Sequence, residues 1–427
     1  MNNNPPLPLG SKIKQIREAS GYSQEQVARY AKIQRSKLSD LEMGKIEFDQ
    51  KTLLAVRKFL EIEDAPLLEH EMELFMTRME VWDGTLDANR VESAREMAND
   101  LAPILHLPYE YDLLFLYAVL DARTLIKEGN IAAAKERIDA SESLLGKASN
   151  KHICLYHQTK GVLYTCFNDY KPALHHYQQA LDIMGNTKSK VRLLGNIGIA
   201  YYNLGKIYHA ITALERASEE FSGDKTNPLG SNIKGFLAMC LMRIGEYDKS
   251  KKLFDEILSH SRSINDKNTI TNHLINRGFL SNITGNYAES LEFFVQAYAI
   301  AVDTNHFTPL LQVYGAAGEA YALRKLKKLD QCKETIAQAK PYAKDNELFT
   351  VLLGVQENLI NLNDPKCIGY LEDVAIPFLR TQGGIFNFNA VDICKELVAY
   401  YAKKKTKTKV AAIKAIMCDI YEEVFLI

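Results

Sequence analysis

Apolar residues recur along this chain at the three- and four-residue spacing of helices that face a core. Between Leu9 and Ala19, Ile13 and Ile16 mark one inward face. Ser23 then offers an N-cap, with Gln26 three residues on, the spacing of a reciprocal capping box. The helix that follows buries Val27 and Ala31, and Ala28 is small enough for another helix to cross closely. A break falls at Lys32-Ile33. A second helix starts near Gln34, carries Leu38 and Leu41 on one face, and ends at Gly44 as its C′ residue. Lys51 to Leu60 gives a further helix through Leu53, Leu54, Val56 and Phe59. Residues 9–62 are thus expected to form a compact all-helical domain. A short disordered arm over 1–8 precedes it, and linker helices over 63–108 follow.

Over residues 109–427 the pattern becomes a series of paired helices. Stretches 161–180, 198–217 and 278–297 align on one template: a small residue, a turn, a Tyr, a second small residue twelve after the first, then a large residue at +16 and Ala at +19. Residues 238–257 fit through Ala238, Ser250, Phe254 and Ile257, and 122–141 through Ala122, Ala134 and Ile138. Gly318 opens a copy with a two-residue insertion, through Cys332, Ile336 and Ala339, and another runs from Gly354 to about Val374. Small residues let the two helices of a pair touch, and the large residue fills the gap to the next pair. The crossing residue recurs as Ala134, Ala173, Ala210, Ser250, Ser290, Cys332 and Cys367, at intervals of 35 to 42 residues.

Composition narrows the class. Residues 9–62 hold 11 Lys/Arg and 7 Asp/Glu, a net of +4, while the whole chain is −1, so the remainder carries −5. A basic head on an acidic body suits nucleic-acid binding by the head alone. Seven scattered cysteines form no C-x-x-C pair, which argues against a zinc site or a redox motif and for a cytosolic, reduced protein. There is no long apolar run for a membrane span, and the first residues lack a secretion signal's charged and apolar regions. No phosphate-cradling loop, nucleophile elbow or paired-histidine metal motif is present, and His175-His176, being adjacent, point to different sides of a helix. We expect no catalytic site, metal or cofactor. The lysine cluster 403–409 reads as a solvated interhelical turn.

The segment 23–44 resembles the Cro/repressor-type helix-turn-helix through Ser23, Gln24, Glu25, Val27, Ala28, Leu38, Ser39, Leu41, Glu42 and Gly44. Two positions depart from that pattern. Lys32 stands where the family often has glycine in the turn, and Gln34 replaces the usual Ser or Thr cap. The resemblance implies that the second helix enters the major groove of operator DNA, with Gln34, Arg35, Ser36 and Lys37 at the base edges. Gln24, at the start of the preceding helix, is then placed for a phosphate.

The paired helices resemble tetratricopeptide repeats, stretched beyond the usual period of about 34 residues. Such repeats stack into a right-handed superhelix whose groove is lined by each repeat's first helix. With the small residue as position 8, groove positions near 2, 5, 9 and 12 select Arg123, Gln158, Asn232, Asn272, Asn282, Gln312, Glu319 and Asn358, with Asn196 and Asn276 at the edge. Carboxamides offer donor and acceptor together, so they can hold the backbone of an extended peptide. Head plus repeats resembles the RNPP family of peptide-sensing regulators, and the length resembles its NprR-like branch. That resemblance implies a homodimer or higher homo-oligomer switched by a short re-imported signalling peptide. It makes Asn232, Asn272 and Asn276 backbone clamps, and Arg123 the partner of an acidic residue or the C-terminal carboxylate. The rival expectation is a protein partner, such as a response regulator docking on the acidic stretch 61–87 with Met72, Met76 and Met79.

Overall fold

The computed structural model describes residues 8–62, 69–102, 110–184, 190–221, 228–303, 309–382 and 386–425. Apart from Pro8, the expected arm lies outside them. All regular structure among the described residues is helical, and the chain divides into two compact units, 1–186 and 187–427.

In the first unit, α1 (Leu9–Ala19), α2 (Gln24–Tyr30), α3 (Arg35–Glu42) and α4 (Gln50–Phe59) form the head. Ile13, Ile16, Val27, Leu38, Leu41, Leu53 and Val56 make its core, while Leu54 points to solvent. The capping box at Ser23 and Gln26 is present in both directions. Two helix ends close in the same way. Lys45 N–H reaches the Asp40 carbonyl after α3, and Ile33 N–H reaches the Ala28 carbonyl after α2. The residue at the bend is left-handed in both: Gly44 has φ 70° and Lys32 has φ 56°. A side chain in that conformation costs roughly 1–2 kcal/mol, which Lys32 carries in place of glycine.

Below the head, α5 (Glu69–Asp87) and α6 (Val91–Leu101) pack on α7 (Tyr111–Lys127). The fully buried Trp82 donates to the Thr124 hydroxyl at 3.0 Å and meets the Tyr117 ring edge-on. Met79 is buried and Met72 and Met76 pack against the same cluster, so these methionines face inward. The unit continues with α8 (Ile131–Ala140), α9 (Asn150–Cys166) and α10 (Tyr170–Met184). Lys12 of the head forms an ion pair with Glu110 at the start of α7, and both side chains are almost wholly enclosed.

The second unit is a stack of hairpins: α11 (Val191–Asn203) with α12 (Ile207–Glu220), α13 (Pro228–Arg243) with α14 (Tyr247–Ser263), and α15 (Lys267–Ile283) with α16 (Tyr287–Asp303). Then come α17 (Pro309–Lys325) with α18 (Leu329–Ala343), and α19 (Glu347–Leu359) with α20 (Pro365–Gly369) and α21 (Ile376–Gln382). A last pair, α22 (Phe386–Lys403) and α23 (Lys407–Phe425), turns within the lysine cluster, where Lys405 has φ 58°.

The crossing residues Ala134, Ala173, Ala210, Ser250, Ser290 and Cys332 are all fully buried. Three of them also bond the helix they cross, at a separation of twelve. Ser250 Oγ donates to the Ala238 carbonyl at 2.8 Å, Ser290 Oγ to that of Gly278 at 2.9 Å, and Cys332 Sγ to that of Ala320 at 3.3 Å. The last bond corrects the register expected for α17. Its crossing position is Ala320, so Cys332, Ile336 and Ala339 follow with no insertion. Gly318 is small for another reason: Phe279 and Phe294 of the preceding hairpin press against it. The +16 residue also differs from expectation in acting mainly within its own pair. Tyr177 covers Gly161, Leu214 covers Gly198 and Tyr370 covers Gly354, while Phe294 alone of these reaches both its own Gly278 and the next pair's Gly318. Beyond Gly354 the copy is not kept to Val374, which is exposed. A π-helical segment, Tyr370–Ala375, adds a residue so that Ala375 takes the buried place.

Candidate functional site

In the head, Gln34, Arg35, Ser36 and Lys37 all stand exposed at the N-terminal end of α3. Gln34 occupies the N-cap with extended backbone but makes no capping bond, so its carboxamide is not consumed by the helix end. Lys37 faces Asp49 across 3.5 Å, with both side chains about half exposed (44% and 53%), a pairing worth at most about 1 kcal/mol and easily exchanged for a phosphate.

Gln24 is half-buried and already bonded within the head. Its amide donates to Glu42 at 2.8 Å. Glu42, enclosed at the end of α3, also receives Arg17 Nε at 2.6 Å and Nη2 at 3.0 Å. Arg17 Nη1 goes on to the Tyr22 carbonyl, and Glu42 holds the guanidinium's pKa above its usual value. The motif glutamate therefore ties α1, α2 and α3 together. The carboxamide of Gln24 serves that knot, since a buried carboxylate oxygen left without a donor is costly.

The candidate peptide residues are divided between the two units, Arg123 and Gln158 in the first and the others in the second. Arg123 does not present a free cation. It pairs with Asp83 and, at 3.0 Å, with Asp87, both on α5. Gln158 turns its amide to Cys154 Sγ at 3.2 Å, within its own hairpin.

In the second unit, the first helices carry a partly open stripe with four-, three- and four-residue steps. On α11 it is Arg192, Asn196, Ile199 and Asn203; on α13, Asn232, Phe236, Met239 and Arg243; on α15, Asn272, Asn276, Phe279 and Ile283. These are positions 2, 6, 9 and 13. Positions 5 and 12 are buried, as at Gly235 and Asn282. Asn232 and Asn272 are exposed, and Asn196 and Asn276 are partly so; Asn276 reaches the Met239 sulfur at 3.8 Å. Asn282 instead donates to the Gly318 carbonyl of α17 at 2.8 Å, and Asn358 to the Gly354 carbonyl of its own helix.

Gln312 and Glu319 leave the stripe because of the α17 register. Counted from Ala320, the stripe positions there become Tyr314, Gly318, Tyr321 and Lys325. Gln312 is buried, and Glu319 bears on Tyr298 of α16, with burial pushing its carboxyl above the usual range. Sequence reasoning also missed two features that long separations conceal. His157 and His176 meet at 3.0 Å between α9 and α10, where burial pushes both down to about 4 and keeps them neutral. The other is α22, whose Phe386 and Phe388 pack against the cluster of α11 to α13, and whose Glu396 bonds Arg324 and Lys325 of α17.

Comparison with known proteins agrees with this architecture. A helix-turn-helix family pattern matches residues 13–67, and a tetratricopeptide-repeat pattern matches 191–220. The transcriptional activator NprA of Geobacillus stearothermophilus is 20% identical over 402 residues, covering 88% of this chain and 94% of that protein. The apo form of the quorum sensor NprR from B. thuringiensis superposes with a TM-score of 0.66 at 19% identity, over 82% of this chain and 99% of that one. A Rap protein complexed with competence and sporulation factor gives a TM-score of 0.71 at 15% identity, over 82% and 98%. NprR has also been solved with its cognate peptide NprX, and that complex gives a TM-score of 0.63 at 19% identity, over 81% and 99%.

Proposed function

We propose that this chain, an RNPP-type regulator with a helix-turn-helix head and tetratricopeptide-like repeats, binds operator DNA and is switched by a short re-imported peptide lying on the stripe of α11, α13 and α15. One observation carries the reading: asparagines at Asn196, Asn232, Asn272 and Asn276 stand open on adjoining helices of one stack. Asparagine is poor in helix interiors, so its repeated use there is weighted towards binding. The switch is a matter of linkage, because a peptide that favours one arrangement of paired heads shifts the population towards it. A homodimer is part of the proposal, since paired recognition helices must reach half-sites about 34 Å apart. For the rival protein partner, Met79 is buried and Met72 and Met76 are partly buried against the core, which leaves Leu74 and Val81 as the open apolar side chains of α5.

Arg35→Ala is expected to abolish a sequence-specific mobility shift without loss of helicity; undiminished binding would remove Arg35 from the base contacts. Asn232→Ala and Asn276→Ala should each weaken binding of the peptide by about 1–3 kcal/mol, the penalty for leaving a buried amide unbonded. Calorimetry with synthetic peptides from short exported reading frames beside the gene provides the measurement. Native affinity in both variants would end their role as clamps.

A further inference from the structure

The fold treats the cations near the first helices of the second unit unequally. Arg324 and Lys325, ending α17, share Glu396 at 3.1 and 2.6 Å. Arg277 within α15 is held by Asp255 and Glu289. Arg243 ends α13 at position 13 of the stripe, and among the described residues no carboxylate is bonded to it. Its guanidinium stands near the buried Tyr202 hydroxyl and lies over the Phe388 ring, 5.3 Å from the centroid. Its Nε is enclosed without a hydrogen bond, as is Oδ1 of Asn387, the neighbour of Phe388.

A phenol and a ring can orient a guanidinium, but they do not neutralise it. The residue is half-buried, with only Nε shut off from solvent, so the rest of the fork stays open to a ligand, and such a fork is shaped to take a carboxylate bidentately. The stripe on α13 leads to it. Asn232 and Arg243 lie eleven residues apart, roughly 16 Å along a helix. An extended chain covers that with about five residues.

We propose that Arg243 is the anion-receiving end of the peptide site. A carboxylate of the bound peptide, at its C-terminus or on an acidic side chain near it, pairs with this guanidinium while Asn232, Asn272 and Asn276 hold the backbone. The assignment rests on the peptide reading above, and it gives the carboxylate a partner that, among the described residues, has no protein carboxylate of its own, unlike Arg123. Phe388 and Tyr202 fix the plane of the fork, so α22 contributes to the site from 145 residues downstream.

The test uses the full-length protein and a randomised synthetic heptapeptide mixture in two forms, free acid and C-terminal amide. Retained peptides are identified by mass spectrometry after gel filtration. The wild type should retain free-acid members, and amidated ones only where Asp or Glu stands near the C-terminus; the balance tells terminal from side-chain carboxylate. Arg243→Gln should lower that retention at least tenfold, whereas Arg243→Lys should keep most of it. Asn232→Ala should lower retention whatever the end group. Amidated peptides without acidic residues, held equally by wild type and Arg243→Gln, would overturn the assignment. Should Arg243→Gln fail to fold, the acid-against-amide comparison on the wild type still decides. A folded wild type that retains nothing from either mixture would defeat the peptide reading itself, and this site with it.

Discussion

Glu42→Ala is expected to unfold the helix-turn-helix head while the repeats keep their helicity. Glu42 accepts two bonds from Arg17 and one from Gln24, all within the enclosed seam of α1, α2 and α3. Removing it strands a guanidinium that is itself 6% exposed, and breaking a buried pair from one side costs about 3–5 kcal/mol. A domain of this size has only a few kcal/mol in hand, on the order of 0.1 kcal/mol per residue. The loss therefore approaches the head's whole stability. Hydrogen exchange over residues 9–62 should rise towards the unfolded rate, and operator binding should vanish with it. Native protection in the variant would show that the seam is held by apolar packing alone. Added salt should rescue little, because the pair is screened only weakly where it lies.

The second large effect is expected at Phe294. This fully buried ring fills the space left by two glycines in successive hairpins. A Cβ on Gly278 would fall 2.7 Å from its Cζ, and one on Gly318 would fall 2.5 Å from it. Phe279 meets it edge-on at 5.6 Å. Phe294→Ala should cost about 3–5 kcal/mol, towards the upper end because neither glycine has a side chain to collapse into the cavity. Trp82, the chain's one tryptophan, lies in the first unit. Its fluorescence should thus keep its melting temperature while the ellipticity carried by the second unit melts earlier. An unchanged ellipticity transition would refute the packing role.

Local periodicity made the head legible in the sequence. Ser23, Gln26, Ile13, Ile16, Leu38 and Leu41 each act within a few residues of one another, and the structure keeps those relations. The repeat phase was legible for the same reason, since its crossing residues sit twelve apart on a single hairpin. The error at α17 came from reading Gly318 by size alone. A glycine that receives Phe294 from the previous hairpin looks, in sequence, like one that admits its own partner helix, and the two-residue slip carried Gln312 and Glu319 onto the wrong face. The ion pairs of Arg123 with Asp83 and Asp87 were not legible, because those carboxylates belong to a helix whose docking no local pattern reveals. The setting of Arg243 depends on Tyr202 and Phe388, which only tertiary closure brings together.

The bonds from Ser250 to Ala238 and from Ser290 to Gly278 have a kinetic consequence. Contacts made over twelve residues give the array a low contact order, and loops so short close within tens of nanoseconds. Each hairpin can nucleate separately and recruit its neighbour. The closure of α22 on Arg243 spans far more chain and loses more entropy in forming. It is therefore expected to form last, so an emerging chain acquires its helices long before the surroundings of Arg243 are complete.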